Sequence, residues 1–122
     1  MIAVSAEHFD ELVDQALAEL PAWVSERMDN VMVTVAAWPT EAQRQSAGRE
    51  GLLLGLYEGV PLSRRGGRYH LVAPDRITVF RQALQWLAAD EDDLVRLIQR
   101  TIAHEIGHHL GMSEAELRDA GL

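Results

Sequence analysis

Residues 91–110 read EDDLVRLIQRTIAHEIGHHL, and this stretch decides the fold. Its apolar residues recur at helical spacing, and acidic residues stand at its start, where a helix dipole favours negative charge. On a wheel of about 100° per residue, Leu94 and Ile98 fall on one arc. Arg100 and Ala103 fall on the opposite arc. The pattern therefore predicts an amphipathic helix with one face in a core and the other in water.

Within this helix, residues 104–108 carry the spacing H-E-x-x-H. Histidines four residues apart lie one above the other, so His104 and His108 can both reach one metal ion with Glu105 beside it. The wheel places the two histidines at the border of the apolar arc and Glu105 inside it. A buried ionised glutamate is costly without a partner, and a metal-bound water is such a partner. The alternative is a pair of core-edge histidines, with Glu105 paired to an arginine.

The residues after the helix extend this candidate site. Gly111 stands where the helix must end, and a glycine can adopt the left-handed conformation that reverses the chain. Glu114 follows His104 by ten residues. In H-E-x-x-H-x-x-G-x-x-(His or Asp) sites, this position holds the third metal ligand. A capping-box pattern overlaps this position, and the two roles are compatible. The sequence predicts Glu114 as the third metal ligand, with Glu116 and Asp119 as alternatives.

Two further residues of the helix have different predicted roles. His109 falls on another face from His104 and His108, so we expect a buried histidine or one that only supports the ligands. Gly107 costs about 1 kcal/mol in a helix interior, which indicates close packing at that position.

Composition limits the function classes. The 122 residues suit one domain, residues 1–122, and contain no cysteine, so any zinc ligand must be a histidine or a carboxylate. A net charge of −8 argues against sequence-independent binding to the phosphates of a nucleic acid. No basic segment precedes an apolar run in residues 1–10, and no run approaches the ~18 apolar residues of a membrane span. We expect a cytoplasmic protein without nucleic-acid or membrane partners. The oligomeric state stays open.

The rest of the chain alternates helix and strand patterns. Ser5 can cap a first helix that Pro21 ends, and two more helices are predicted at residues 40–47 and 81–89. The predicted extended segments are residues 31–37, buried on both faces, residues 51–57, and residues 76–80, half-buried. Residues 64–67, RRGG, read as a mobile loop.

Three segments together resemble the small bacterial zincin-like metallopeptidase family, whose members are also called minimal metalloproteases. They are residues 53–62 (LLGLYEGVPL), 74–81 (PDRITVFR) and 104–114 (HEIGHHLGMSE). The resemblance implies a compact α+β zincin-like domain, with a small mixed β-sheet packed against helices. It also implies one Zn²⁺ on His104 and His108, with Glu105 as general base. This family commonly has aspartate at the position of Glu114 and alanine at that of Gly107.

Such a site implies zinc-dependent hydrolysis of peptide bonds. Zinc lowers the pKa of its water toward ~7, and Glu105 takes the proton as the hydroxide attacks the peptide carbonyl. A peptide or protein substrate could add as a strand to a sheet edge at residues 76–80. Candidate donors to the developing oxyanion are Tyr57, Tyr69, His70 and Arg76.

Two hypotheses from other classes remain at this stage. A non-catalytic metal-binding module would keep the zinc for structure or partner recognition, since little of so short a chain is left to form a substrate cleft. A metal-free interaction protein would use its helical surface and contain no stoichiometric zinc. Replacement of Glu105 by glutamine separates the peptidase from the first alternative, and metal analysis separates it from the second.

Overall fold

Helices pack against a three-stranded sheet in the computed structural model, which describes residues 1–48, 51–59 and 74–120. The helices are α1 (Ala6–Ala18), α2 (Ala22–Ser25), α3 (Glu41–Ala47), α4 (Arg81–Leu87), α5 (Glu91–His109) and α6 (Glu114–Asp119). The strands are β1 (Val31–Ala36), β2 (Gly55–Glu58) and β3 (Asp75–Phe80). The predicted α+β class is confirmed, and so is the helix predicted at about residues 91–110. The predicted loop at residues 64–67 lies outside the described residues.

The sheet is mixed, with the strand order β1-β3-β2. β1 runs parallel to β3, and β2 runs antiparallel to it. β3 is therefore the central strand, and residues 77–80 are all buried. The expectation of a half-buried edge strand there was wrong. The expectation failed at Thr78, a polar residue that the alternating pattern assigns to the water-facing side. Thr78 is buried instead, and its hydroxyl shares a 3.0 Å hydrogen bond with the hydroxyl of Thr34 on β1.

β1 also differs from its prediction. The sequence indicated burial on both faces, but most of its residues are only partly buried and Met32 is 46% exposed. Within the part of the chain that the structure describes, β1 pairs with β3 alone. A run of β-branched and apolar residues favours a strand without fixing its place in the sheet. That place depends on which other segments pair with it.

The core lies between α1, α5 and the sheet. Ser5 caps α1 by accepting a hydrogen bond from the backbone N–H of His8 at 3.0 Å, as predicted. The buried core includes Phe9, Leu12, Val13, Leu94, Ile98, Ile102, Ile77 and Val79. Ala103 is buried as well, although the wheel placed it on the water face. Gln99 donates to the carbonyl oxygen of Ala16 at 3.2 Å, so α1 covers this side of α5.

The shorter helices follow their local signals. α3 begins with a capping box in which Thr40 and Gln43 bond each other's backbone N–H groups, and Gly48 ends it in the left-handed conformation. α4 follows β3 directly and ends at Leu87, two residues before the predicted end. None of the helices in the described ranges combines the length and hydropathy that a bilayer-spanning segment requires.

Candidate metal centre and active site

The last turns of α5 carry the two histidines. Asp90 caps the helix by accepting a hydrogen bond from the backbone N–H of Asp93 at 2.8 Å, and the helix continues unbroken to His109. His104 and His108 are both half-buried, as their place at the border of the apolar arc predicted. Their ring centroids lie 6.0 Å apart with a 51° angle between the planes. Both imidazoles therefore lie on one side of the helix.

The chain then reverses at Gly111, which has a φ of 83°. The backbone N–H of Met112 donates to the carbonyl oxygen of Gly107 at 2.8 Å, which closes the end of the helix. Ser113 and Glu116 form the predicted capping box at the start of α6. The Glu116 carboxylate accepts from the Ser113 N–H at 3.2 Å. Glu116 is thus engaged in the cap.

Glu114, the first residue of α6, contacts one of the two histidines. Its Oε1 lies 2.8 Å from His108 Nε2. This hydrogen bond is the main reason that the pKa of Glu114 is lowered, so the carboxylate stays ionised. Of the three acidic candidates for third ligand, Glu114 is the one whose carboxylate the turn brings to the α5 histidines.

His104 lies in a different electrostatic setting. Its Nε2 is buried and has no hydrogen-bond partner among the residues that the structure describes. Burial is the largest cause that lowers the pKa of His104, the charge of Glu114 opposes this shift, and the positive charge of Arg100 adds to it. The imidazole is therefore favoured in its neutral form, which is the form that binds a metal ion.

These donors fit a zinc ion in kind, because imidazole nitrogens and a carboxylate oxygen are common zinc ligands. Among the described residues, no three His, Asp or Glu side chains already stand close enough to hold an ion. Two do meet, at His108 and Glu114, and His104 adds a buried ring nitrogen without a partner. Two tetrahedral zinc ligands lie about 3.3 Å apart, so the bonded pair needs to separate by only about 0.5 Å. An orphaned buried nitrogen is also an exception among buried polar atoms, which normally have a partner.

Glu105 faces the sheet. It is 6% exposed, and its Oε1 accepts a hydrogen bond from the backbone N–H of Tyr57 on β2 at 3.0 Å. Gly55 permits this close approach of β2, since a Cβ there would lie 2.5 Å from Thr101 Cγ2. Glu105 and His104 both line a cavity of about 330 Å³. Glu105 is therefore buried, its carboxylate is oriented by the main chain of β2, and the residue lines the same cavity as His104.

His109 is exposed, so the first of its two predicted roles, a buried histidine, is wrong, and the second, a supporting role beside the ligands, stays a prediction. Its ring stacks on that of Tyr57, with centroids 4.0 Å apart and an angle of 14°. The reason is that α5 ends at this residue, at the edge of the packed core. The Tyr57 hydroxyl donates to Asp75 Oδ2 at 2.6 Å, and Arg76 lies 3.5 Å from Glu58. Both described oxyanion candidates therefore have partners already, and Tyr69 and His70 lie outside the described residues.

Gly107 explains how α6 packs against α5. A Cβ at Gly107 would collide with Cδ2 of Leu117, and Leu117 is fully buried. The close packing that the sequence indicated at this glycine is confirmed. The contact places the first turn of α6, and hence Glu114, beside the two histidines.

One charged residue of the cavity was not singled out from the sequence. Arg100 lines the same cavity as His104 and Glu105, although the helical wheel placed it on the water face. The available signal was its position one helical turn before His104, because residues four apart share a helix face.

Comparison with known proteins gives a family for the chain and one similar solved structure. A family model for zincin-like metallopeptidases matches residues 28–122. A solved structure of a conserved hypothetical protein from Thermus thermophilus is similar, with 28% sequence identity and a TM-score of 0.55. The match covers 88% of this chain and 94% of that one. No curated protein matches the chain. Because the family model covers most of the sequence, this chain belongs to the zincin-like metallopeptidase family.

Proposed function

We propose that this protein is a zinc-dependent peptidase, with one Zn²⁺ held by His104, His108 and Glu114 and with Glu105 as general base. The observation that carries the proposal is the buried Nε2 of His104, which has no hydrogen-bond partner in the described part of the chain and lies on the same side of α5 as the His108–Glu114 pair. Two histidines and a carboxylate are a ligand set that leaves a fourth zinc position for water or substrate. The substrate is a peptide or an unfolded segment of a protein.

Each residue has a separate task in this reaction. When bound, zinc supplies Lewis acidity and lowers the pKa of a water toward about 7. The Glu105 carboxylate accepts the proton that leaves the attacking water and returns it to the amine of the departing fragment. The Tyr57 N–H fixes the orientation of that carboxylate through Oε1. In the neutral tautomer that carries its proton on Nδ1, the imidazole of His104 has its Nε2 lone pair available as a ligand.

The replacement Glu105→Gln tests the proposal. The amide oxygen of glutamine still accepts the Tyr57 N–H, so we expect an unchanged fold and an unchanged zinc content. The amide cannot take a proton, so we expect the rate of peptide cleavage to fall by about 100-fold or more. Elemental analysis gives the zinc content, and mass spectrometry of a peptide mixture gives the cleavage rate.

Glu116→Gln is the matched control, because it makes the same chemical change in the adjoining helix and keeps the capping hydrogen bond. This control should retain the wild-type rate and zinc content. Undiminished cleavage by folded, zinc-loaded Glu105→Gln protein would refute Glu105 as the base.

A non-catalytic metal module remains the second candidate. The hydrogen bond from Tyr57 to Glu105 favours it, because this bond joins α5 to β2 and gives the buried glutamate a structural role. This function predicts stoichiometric zinc in the wild-type protein with no cleavage of any peptide in the mixture. A protein without stoichiometric zinc would instead support a metal-free interaction domain.

A further inference from the structure

The cavity beside His104 and Glu105 is mostly apolar. Its volume of about 330 Å³ lies at the lower end of the range for small-ligand pockets. Five leucines contribute to its lining, and they are Leu52, Leu53, Leu54, Leu87 and Leu97. Apolar area of this kind favours an aliphatic or aromatic side chain over a polar one. The cavity therefore suits one large apolar residue next to the candidate catalytic groups.

Arg100 is a cation in this apolar lining. It is exposed, and in the described part of the chain it takes part in no salt bridge, unlike Arg27, Arg76 and Arg96. Its charge also acts on His104. A guanidinium binds a carboxylate through paired hydrogen bonds, so this arginine supplies a site for one anionic group. The protein as a whole carries a net charge of −8, which repels anions. The preference for an anion at this cavity therefore comes from Arg100 itself.

The spacing of the two groups limits the ligand. Arg100 and His104 stand one helical turn apart, which is about 6 Å along the axis. An extended peptide advances by about 3.3 Å per residue. A carboxylate on Arg100 therefore lies one or two residues from a peptide bond at His104. A terminal residue such as leucine carries both the apolar side chain and the carboxylate that this surface matches.

We propose that this cavity binds the C-terminal residue of a peptide, with an aliphatic side chain among the leucines and the terminal carboxylate on Arg100. The expected consequence is removal of one or two residues from the C-terminus of the peptide. This consequence rests on the proposed peptidase function. The step is hydrolysis of one C–N bond. The hydroxyl of water goes to the carbonyl carbon, and the proton goes through Glu105 to the leaving amine.

Binding can be measured without turnover. In calorimetric titrations we expect acetyl-leucine to bind at least tenfold more tightly than acetyl-leucine amide, because a hydrogen bond to a charged group is worth that factor or more. We expect a similar factor over acetyl-glycine, because acetyl-glycine has the carboxylate but no apolar side chain to bury among the leucines. Arg100→Gln should remove the preference for the free carboxylate. Arg96→Gln is the matched control, one turn earlier on α5 and salt-bridged to Asp93, and should bind like the wild type. The titrations are repeated after chelation, since a bound ion also attracts a carboxylate.

A peptide pair then separates this inference from the proposed function. One peptide ends in a free leucine, and the other has the same sequence with an amidated end. Loss of one or two terminal residues from the free peptide alone supports the inference. Equal cleavage of both peptides supports the peptidase and overturns the inference, as does acetyl-leucine binding that is indifferent to Arg100. Cleavage of neither peptide, with Arg100-dependent binding retained, overturns the peptidase and leaves the carboxylate site.

Discussion

Glu114 reaches the α5 histidines because the chain reverses at Gly111 and a new helix begins immediately afterwards. Glu114→Ala removes one of three proposed ligands, so we expect the zinc affinity to fall by about 100-fold or more while the fold is kept. Competition with a metal-binding dye measures this affinity. Glu116→Gln and Asp119→Asn are the controls, because they test the two other acidic candidates in the same helix.

Both controls should keep the wild-type affinity for zinc. Tight binding by Glu114→Ala together with metal loss in either control would assign the third ligand elsewhere in α6.

The sequence was informative about residues whose partners are close along the chain. His104, Glu105 and His108 follow from helical spacing, and the capping box at Ser113 follows from its four-residue pattern. The Tyr57 partner of Glu105 could not be predicted in this way, because 48 residues separate the two. The stack of His109 on Tyr57 was missed for the same reason.

At the scale of elements, the contact between α5 and α6 depends on a missing side chain. Gly107→Ala adds a methyl group that collides with Leu117, although alanine favours helix by about 1 kcal/mol. Overpacking of a buried site typically costs about 1–3 kcal/mol, so we expect lower stability. Because α6 carries Glu114, we also expect weaker zinc binding. Thermal unfolding and metal titration measure the two effects.

The double variant Gly107→Ala/Leu117→Ala is the control, since the smaller side chain leaves room for the new methyl group. Leu117→Ala alone opens a cavity, and the double variant should be more stable than the sum of the single changes predicts. Strict additivity would contradict a direct contact between these two positions.

Element boundaries were easier to predict than element positions. The helix bounds came from caps, glycines and spacing, all of which are local. The place of each strand in the sheet was not local, since β3 became central only when β1 and β2 paired with it on opposite sides. The burial of Thr78 likewise depends on Thr34, which lies in another strand. An alternating pattern cannot distinguish an exposed polar residue from a paired one.

At the scale of the whole molecule, α1 and the start of α5 are joined by an ionic contact. His8 Nε2 lies 2.5 Å from Glu91 Oε1, and His8 Nδ1 lies 3.9 Å from Glu11. The hydrogen bond to Glu91 is the main reason that the pKa of His8 is raised above 6.5. The folded protein therefore holds this proton more tightly than the unfolded chain does.

This linkage fixes the sign of a pH effect on stability. The stabilisation from His8 is fully present below pH 6.5 and is lost as the pH rises through the folded-state pKa. Urea denaturation should show the wild type more stable than His8→Asn in mildly acidic buffer, and the difference should vanish in alkaline buffer. Glu7→Gln, on the same helix, serves as the control. A difference that grows as the pH rises would contradict this assignment.

The turn at Gly111 also bears on the order in which the site forms. His108 and Glu114 are 6 residues apart, whereas Tyr57 and Glu105 are 48 apart. The entropy of loop closure makes the longer connection costlier by about 1.8 kcal/mol. The proposed zinc ligands can therefore come together during folding while the sheet is still unformed. Orientation of the proposed base must wait until β2 docks on α5, so the proposed ion-binding residues would meet before the proposed base is in place.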